Sequence, residues 1–423
     1  MVNRLLLLGF ILYGLFLTGL LTKAGGLLAL MAPFLVYLGV GPLYSPDKIR
    51  FKISRILSAD RVSQDTPVTV NLEITNEGSR LEEVFLEDRV PAGLEPADGA
   101  ASVLTSLEPG ESVRWQYTLN PKRGYYWFQG VKARASDPTG LIVKQEFLPT
   151  EGRLMVMPYT VRPKRIAIRP RRTKVYSGFI PARTGGPGVE FFGVREFQPG
   201  DPPQMINWKS TARHPRAFFT NEFEQERIAD VGLILDARQR SYSRVKEGSL
   251  FEFAVLAAAA LAESFLSDGN RVGMLVYGRV VDWTFPGYGK VQKEHILRAL
   301  TRAGPGKSEV FDKLENIPTR LFPSHSQLIF ISPLIKQDCE TLFRLRARGY
   351  QVLVVSPDPI AFEEKELQSH PDFETGKRII ILERELMLRE LRRAGIHVLN
   401  WEVNIPIHQA INSTLGMRPY WYH

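Results

Sequence analysis

The chain of 423 residues carries a net charge of +9, and 44% of its residues are hydrophobic and 23% charged. This composition excludes a mainly disordered protein, and the length suffices for several buried cores without disulfide support. The single cysteine, Cys339, cannot form an internal disulfide, which is typical of proteins from a reducing compartment.

Two adjacent apolar segments lie near the N-terminus, at residues 5–21 and 24–44, and neither contains a charged residue. Since a helix needs about 20 apolar residues to cross a bilayer, residues 1–47 are predicted to form two transmembrane helices arranged as a hairpin. A signal peptide is the alternative, but no small-residue cleavage site follows the first segment. Lys and Arg residues flank the outer ends of the hairpin, so both termini and the soluble domains are predicted to be cytoplasmic, at the plasma membrane.

Apolar and polar residues then alternate, for example at Val68, Val70, Leu72 and Ile74, and turn sequences separate the apolar runs. A period of two residues is typical of strands with one buried face. Residues 48–160 are therefore predicted to form an antiparallel β-sandwich of immunoglobulin-like shape, without the cysteine pair of antibody domains.

Residues 161–229 are predicted to comprise a basic linker and a motif-bearing segment, with eight basic residues and no acidic one between positions 162 and 183. The linker could contact anionic lipid or an acidic partner, or it could remain solvated. Nucleic acid is disfavoured because no zinc-ligand spacing, recognition helix or aromatic RNA-binding motif accompanies the charge. The candidates for contact with lipid or an anionic partner are Arg165, Arg169, Arg171, Arg172 and Lys174.

Residues 230–423 alternate short apolar runs with helical patterns, which is typical of a parallel sheet covered by helices. The C-terminal domain is therefore predicted to be a doubly wound α/β fold. Strands are predicted at 231–235, 271–277, 328–332, 351–356 and 397–401, and helices at 250–265, 292–303, 340–348 and 383–394.

Just before the first of these strands, acidic and aromatic residues and a Pro-Gly-Asp sequence stand at a specific spacing. This segment resembles the family called domain of unknown function 58. Two positions depart from the family pattern: Gln204 stands where Arg is usual, and Asn207 stands where Asp is usual. The matching residues are Glu190, Arg195, Glu196, Phe197, Pro199, Gly200, Asp201, Ile206, Trp208, Lys209, Ala212, Arg213 and Glu226.

The resemblance implies an organisation for the whole chain. Family members often carry two N-terminal spans, a β domain that closes with a sequence like the one at residues 137–141, and a C-terminal domain similar to von Willebrand factor A. The family is associated with MoxR-type AAA+ ATPases. The resemblance therefore implies such an ATPase as a partner in assembling or remodelling membrane or envelope complexes.

The sequence Pro199-Gly200-Asp201 favours a tight turn, and the charges around it are predicted to form a partly buried ion-pair network. Such a network would fix the segment onto the α/β domain. Because no nucleophile stands beside a base here, we predict no catalytic residue. The candidate partner-binding residues of the signature are Glu190, Arg195, Glu196, Pro199, Gly200, Asp201, Trp208, Lys209, Arg213 and Glu226.

A von Willebrand A domain often binds a divalent cation at the end of its first strand, through an Asp-x-Ser-x-Ser motif. Here Asp236 keeps the first position, Arg238 and Arg240 replace both serines, and the loop at 332–334 contains no Asp. Hard cations need several oxygen ligands, so Asp236 is predicted to pair with an arginine instead. No metal or other cofactor is predicted.

These features favour a non-enzymatic scaffold, in which the β domain spaces the α/β domain from the bilayer and the α/β domain binds a protein partner. The first alternative is an enzyme that uses the cleft at the carboxyl ends of the sheet, with Asp201 or Asp236 as acid or base. The second is a metal-dependent adhesion module outside the cell. It would need the reversed topology and an intact cation site, for example one that recruits Ser241 and Ser243.

Overall fold

The structure is a computed structural model that divides the chain into two compact units, Met1–Met157 and Pro158–His423. The first unit is rich in β-sheet and the second contains an α/β fold, which confirms these two features of the predicted fold class. The linker residues Arg165, Arg169 and Arg171–Arg172, like Ser243, lie outside the described residues. The described residues are 4–43, 49–137, 142–160, 174–214, 216–242, 250–278, 281–306, 317–318, 321–323, 326–367 and 373–414.

The first unit begins with the helices α1 (Arg4–Thr22), α2 (Gly25–Ala29) and α3 (Met31–Leu43). The chain turns at Lys23, whose φ of 53° is positive, and α2 then packs on α1. The approach is close because Gly19 has no side chain: a Cβ atom there would lie 2.9 Å from Cδ2 of Leu28. Large apolar side chains point outward, including Phe10, which is 79% exposed, and Leu21, which is 76% exposed.

Among the described helices, α5 (Leu250–Ser267) is the one that is long and apolar enough to cross a membrane, yet 72% of its residues are buried in the second unit. Burial in a sheet-and-helix core accounts for its composition. The apolar stretches at the N-terminus are shorter, at Leu6–Thr22 and Gly25–Gly39. The transmembrane hairpin therefore stays a prediction.

The rest of the first unit consists of β1 (Phe51–Leu57), β2 (Arg61–Ser63), β3 (Val68–Asn76), β4 (Leu81–Asp88), β5 (Pro96–Gly99), β6 (Ser102–Leu107), β7 (Ser112–Leu119), β8 (Gly124–Ser136) and β9 (Val143–Met157). One sheet has the order β1-β3-β7-β5, and the other has the order β2-β9-β8-β4-β6. Described neighbours are antiparallel, except that β2 and β9 are parallel. The predicted alternation is present in β3, where Val68, Val70, Leu72 and Ile74 are at most 2% exposed and belong to a core that both sheets share.

A six-stranded sheet forms the centre of the second unit, in the order β14-β13-β12-β15-β16-β17. Its strands are β12 (Asp230–Ala237), β13 (Arg271–Gly278), β14 (Val281–Gly287), β15 (Gln327–Ile331), β16 (Gln351–Pro357) and β17 (His397–Trp401). All described pairs are parallel except β13 with β14, at one edge. Every residue of β12 after Asp230 is buried, as expected for a strand covered on both faces.

The helices that follow β12 in the chain are α5, α6 (Gly289–Arg302), α7 (Asp338–Ala347), α8 (Pro359–Leu367), α9 (Phe373–Arg393) and α10 (Ile407–Thr414). Leu342 of α7 and Leu391 of α9 pack in one core with Ile234 of β12 and Val354 of β16. The strand order reverses between β12 and β15. In open α/β sheets, ligands bind at such a switch point, beyond the carboxyl ends of the strands.

Within residues 230–423, one strand and two α-helices were not predicted, and α9 begins at residue 373 rather than at 383. The edge strand β14 contains Pro286 and exposes Trp283 and Phe285, so it lacks a continuous buried run. The first half of α9 exposes Ile379 and Leu382, so its apolar residues do not mark one buried face. The unpredicted helices are α8 and α10.

Candidate functional site

The predicted linker is in part a long antiparallel hairpin of β10 (Lys174–Glu196) and β11 (Phe219–Ile228), which corrects the linker prediction from residue 174 onward. The basic candidate Lys174 pairs through its backbone with Ile228. Glu190 and Glu226 also lie in these strands, but their side chains are outside the described part of the structure.

The connection between the two strands folds around an ion pair. Gly200 has a φ of +110°, and the turn there brings Asp201 back beside Arg195. Nη1 and Nη2 of Arg195 donate to the two carboxylate oxygens of Asp201 at 2.8 and 2.7 Å, and the backbone N of Gln198 donates to Oδ2 at 2.8 Å. Nε of Arg195 also lies 3.7 Å from Oε1 of Glu222.

These contacts fix the protonation state of Asp201. Its hydrogen bonds with Arg195 and with the Gln198 backbone hold the pKa of this carboxyl below its ordinary value. An ionised carboxylate with both oxygens paired is poorly suited to donate or accept a catalytic proton. The enzyme alternative that assigns Asp201 as the acid or base therefore gains no support from this geometry.

The predicted ion-pair network differs from the observed one. Lys209 and Arg213 are exposed on the short helix α4 (Trp208–Arg213) and form no ion pair with any described side chain, and Glu196 is exposed as well. The described network consists instead of Arg195, Asp201 and Glu222, and Glu222 was not among the predicted residues.

Hydrogen bonds anchor α4 to β11. Asn207 caps the helix, because its Oδ1 accepts from the backbone N of Ser210 at 2.9 Å. Its Nδ2 donates to Oδ1 of Asn221 at 2.7 Å, and Oγ1 of Thr211 accepts from the Phe219 backbone at 3.0 Å. The Asp that the family pattern usually has here would also cap the helix, but it has no amide donor for Asn221.

The anchored helix and the segment that joins it to β11 carry exposed aromatic and basic side chains. Trp208 is 67% exposed, Phe218 is 57% exposed, and Lys209, Arg213 and Arg216 are also exposed. We call these five residues the α4 surface. An exposed tryptophan on a short helix held by specific hydrogen bonds is unusual for a purely structural element, because burial of its ring would be favourable.

A second cluster lies at the switch point, at the carboxyl end of β12. Arg238 donates from Nε and Nη2 to Asp236 at 2.9 and 2.8 Å, and from Nη1 and Nη2 to Asp338 at 3.0 and 2.8 Å. The three side chains are only 1–2% exposed. Ser332, directly after β15, donates from Oγ to Oδ2 of Asp236 at 2.7 Å, and Arg240 contacts Gln337 at 3.5 Å.

The cluster contains one guanidinium and two carboxyl groups, and burial raises the pKa of one of these carboxyls, that of Asp338. Burial lowers the pKa of Arg238, but its hydrogen bonds and charge interactions with Asp236 and Asp338 outweigh burial and raise it, so the guanidinium stays charged. Asp236 was predicted to pair with an arginine, and that arginine is Arg238. Asp338 was not predicted as a second partner, although an acidic residue at the start of a helix was a signal for it.

A third cluster, which is buried, forms around Arg384 of α9 at the neighbouring strand ends. Arg384 is 8% exposed and donates to the Pro333 carbonyl at 2.9 Å, Oγ of Ser356 at 2.8 Å and Oδ1 of Asn400 at 2.7 Å. Nδ2 of Asn400 in turn donates to Asp358 at 3.0 Å. The carboxyl ends of β12, β15, β16 and β17 are therefore held by arginines and their partners.

In the described part of the chain, no group of three or more His, Cys, Asp or Glu residues is placed to hold a metal ion.

Cys339, which follows Asp338 of the Arg238 cluster in the chain, is expected to be unreactive in the folded protein. It is 5% exposed, and burial, together with the charges of Asp338 and Glu390, raises its pKa to about 11. At pH 8 the thiolate fraction should fall more than about 100-fold below that of an ordinary thiol of pKa about 8.5. Thiol-reagent kinetics with and without denaturant would measure this. Rapid native labelling would show instead that α7 opens frequently.

Comparison with known proteins gives one curated relative, the uncharacterized protein YeaD of Bacillus subtilis (strain 168), which is 27% identical over 278 residues. The match covers 64% of this chain and 66% of YeaD, so the chain spans just under two thirds of that relative.

Among solved structures, a CARDB domain from Pyrococcus furiosus in complex with di-metal ions is 16% identical and covers 27% of this chain and 94% of its own, with a TM-score of 0.19. A FixG-related protein from Vibrio parahaemolyticus is 14% identical and covers 26% and 97%, with a TM-score of 0.17. At these TM-scores, neither likeness bears on the fold or the function. The family model described as "Protein of unknown function DUF58" matches residues 193–394 and so confirms, over these residues, the resemblance that the signature predicted.

Proposed function

We propose that the chain is a membrane-anchored, non-enzymatic scaffold that binds a protein partner through the α4 surface. The observation that carries the proposal is Trp208, which is 67% exposed on a helix that Asn207 and Thr211 fix to β11. A rigid, exposed aromatic side chain loses little conformational entropy when a partner covers it. Tryptophan and arginine are the residues most enriched in the energetic centres of protein interfaces.

The charge of the α4 surface indicates the kind of partner. Lys209, Arg213 and Arg216 are exposed and lie close to Trp208 and Phe218 in the chain, and none of the three cations forms an ion pair with a described side chain. An acidic partner surface with an apolar recess would complement them in charge and shape. The family resemblance favours a MoxR-type AAA+ ATPase as that partner, engaged in assembling or remodelling a membrane or envelope complex.

Membrane anchoring in this proposal rests on the first unit. The described helices α1, α2 and α3 expose apolar side chains such as Phe10 and Leu21, and the charge-free segments before and after Lys23 suit a bilayer. The flanking basic residues favour cytoplasmic domains at the plasma membrane. The second unit is proposed to be similar to von Willebrand factor A, an idea that the strand order with its antiparallel edge strand supports.

The test is co-purification of the full-length protein from membranes in mild detergent. Trp208→Ala is expected to lose the ATPase with an unchanged melting temperature, because this side chain contributes little to the fold. Lys209→Glu combined with Arg213→Glu should weaken capture at least about 10-fold if charge complementarity operates. Trp283→Ala is the matched control, since Trp283 is 49% exposed on β14 of the same unit.

Retention of the ATPase by folded Trp208→Ala, at the level of the Trp283→Ala control, would contradict the proposed interface. Loss of the ATPase in both variants would show that exposed aromatic side chains act without specificity. Failure of the wild type to retain any AAA+ ATPase would contradict the choice of partner.

A further inference from the structure

The resemblance to von Willebrand A domains implies a divalent cation at the carboxyl end of β12, and the residues there show whether such an ion fits. A hard divalent cation takes six or more oxygen ligands. Among the described residues, the side-chain oxygens that take part in this hydrogen-bonded cluster belong to Asp236, Asp338 and Ser332. Each of the four carboxylate oxygens already accepts a hydrogen bond from Arg238, so a metal ion does not fit beside this side chain.

We propose that the guanidinium of Arg238 is the resident cation of this site and assembles the loops at the switch point without a metal ion. One charged group binds two carboxylates in bidentate fashion, which is the geometry that a guanidinium provides and an ammonium does not. Asp236 comes from the end of β12, and Asp338 comes from the start of α7. The arginine therefore joins two loops that lie on opposite sides of the strand-order reversal.

Further hydrogen bonds hold the residues around this guanidinium in place. The backbone N of Arg238 donates to Oδ1 of Asp236 at 3.0 Å, so the side chain folds back over its own turn. Ser332 joins from the end of β15, and its Oγ accepts from the backbone N of Leu334, which has a positive φ of 61°. A non-glycine residue in this conformation is costly and persists only where the surroundings hold it. The N-terminus of α7 adds a favourable field for the Asp338 carboxylate.

The site is closed as well as filled. Arg238, Asp236 and Asp338 are 1–2% exposed, so an external carboxylate or phosphate has no open position beside the cation. It follows that the site organises structure rather than binding a ligand through an ion. Chelators and added divalent cations should leave the stability of the wild-type domain unchanged.

The experiment removes the internal cation and offers an external one. The protein is purified in mild detergent. Arg238→Ala leaves the carboxyl groups of Asp236 and Asp338 close together without a counter-ion. This change should lower the melting temperature and create a cation site. Mn²⁺ at about 100 times its Kd should then raise the melting temperature of Arg238→Ala by roughly 5–10 °C. The electron paramagnetic resonance spectrum of Mn²⁺ gives an independent readout of binding.

Two controls distinguish a gained site from general stabilisation. Arg238→Lys keeps a positive charge and is expected to exclude Mn²⁺, and Arg238→Ala with Asp338→Asn removes a ligand and should bind Mn²⁺ at least about 10-fold more weakly than Arg238→Ala. If Arg238→Ala folds only when purified with Mn²⁺ and retains the ion, the proposal is supported.

Three results would overturn the proposal. The first is stoichiometric Mn²⁺ binding by the wild type that Asp338→Asn abolishes. The second is Arg238→Ala that remains unfolded even with Mn²⁺. The third is a folded Arg238→Ala that gains no ion.

Discussion

Replacing Asp88 with alanine is expected to lower the free energy of unfolding of the first unit by about 3–5 kcal/mol. Asp88, at the end of β4, is 2% exposed and accepts hydrogen bonds from Arg55 of β1 and from the hydroxyl of Tyr117 of β7, the latter at 2.6 Å. Both partners come from the opposite sheet. Alanine would leave the fully buried Arg55 guanidinium without its counter-ion and the Tyr117 hydroxyl without its acceptor.

Burial and the neighbouring Asp88 carboxylate raise the pKa of Tyr117, so its hydroxyl remains a donor over the whole accessible pH range. Asp88→Asn keeps an acceptor for Tyr117 but removes the charge that balances Arg55. It should therefore lie between the wild type and Asp88→Ala in stability. This ordering separates the hydrogen bond from the charge pair.

Hydrogen exchange of β3 amides with increasing denaturant would localise the Asp88 effect to the first unit. The matched control is Glu73→Ala, because Glu73 pairs with Arg114 on the surface, where the two side chains are 40% and 77% exposed. Exposed ion pairs contribute at most about 1 kcal/mol, so this variant should stay close to the wild type. A loss below about 1 kcal/mol for Asp88→Ala would mean that water reaches Arg55 in the folded protein.

The strands of the second unit were predictable because they are buried on both faces. The segment around Leu233 and Leu235 is a continuous apolar run bounded by charged residues, and such a run has few alternatives to a central parallel strand. The edge strand β14 escaped prediction for the opposite reason. It pairs on one side only, and Trp283 and Phe285 remain exposed, so its pattern depends on a neighbour that the local sequence does not reveal.

In the candidate sites, too, local features could be predicted from the sequence, whereas contacts between distant residues could not. The turn at Gly200 and the pairing of Asp236 with an arginine could be predicted from local residue types. The partners do not: Asp338 lies 100 residues from Arg238 in the chain and reaches it only because β12 and β15 are neighbours. Glu222 likewise meets Arg195 through the hairpin register, in which Arg195 pairs with Thr220. Long-range pairing of this kind is set by the fold and not by the spacing of a motif.

Arg384→Met should cost the second unit about 3 kcal/mol, although methionine fills much of the same volume. The guanidinium donates to the Pro333 carbonyl after β15, to Ser356 at the end of β16 and to Asn400 in β17. Methionine offers no donor, so buried acceptors on three neighbouring strand ends lose their partner, at about 1–3 kcal/mol for each one that water does not reach. Burial lowers the pKa of Arg384, yet guanidinium remains charged at every accessible pH, so the cost should be nearly independent of pH.

Arg389→Met on the same helix is the matched control for this variant. Arg389 is 62% exposed and pairs with Glu385 at 3.2 Å across one helical turn, an interaction worth about 0.3–0.5 kcal/mol. Denaturant unfolding of both variants, followed by hydrogen exchange of β16 and β17, measures the difference. If the two variants lose equal stability, the strand ends are not held by Arg384. A loss confined to Arg384→Met, with reduced protection at β15 to β17, would show that this arginine holds the strand ends on one side of the switch point, next to those that Arg238 joins.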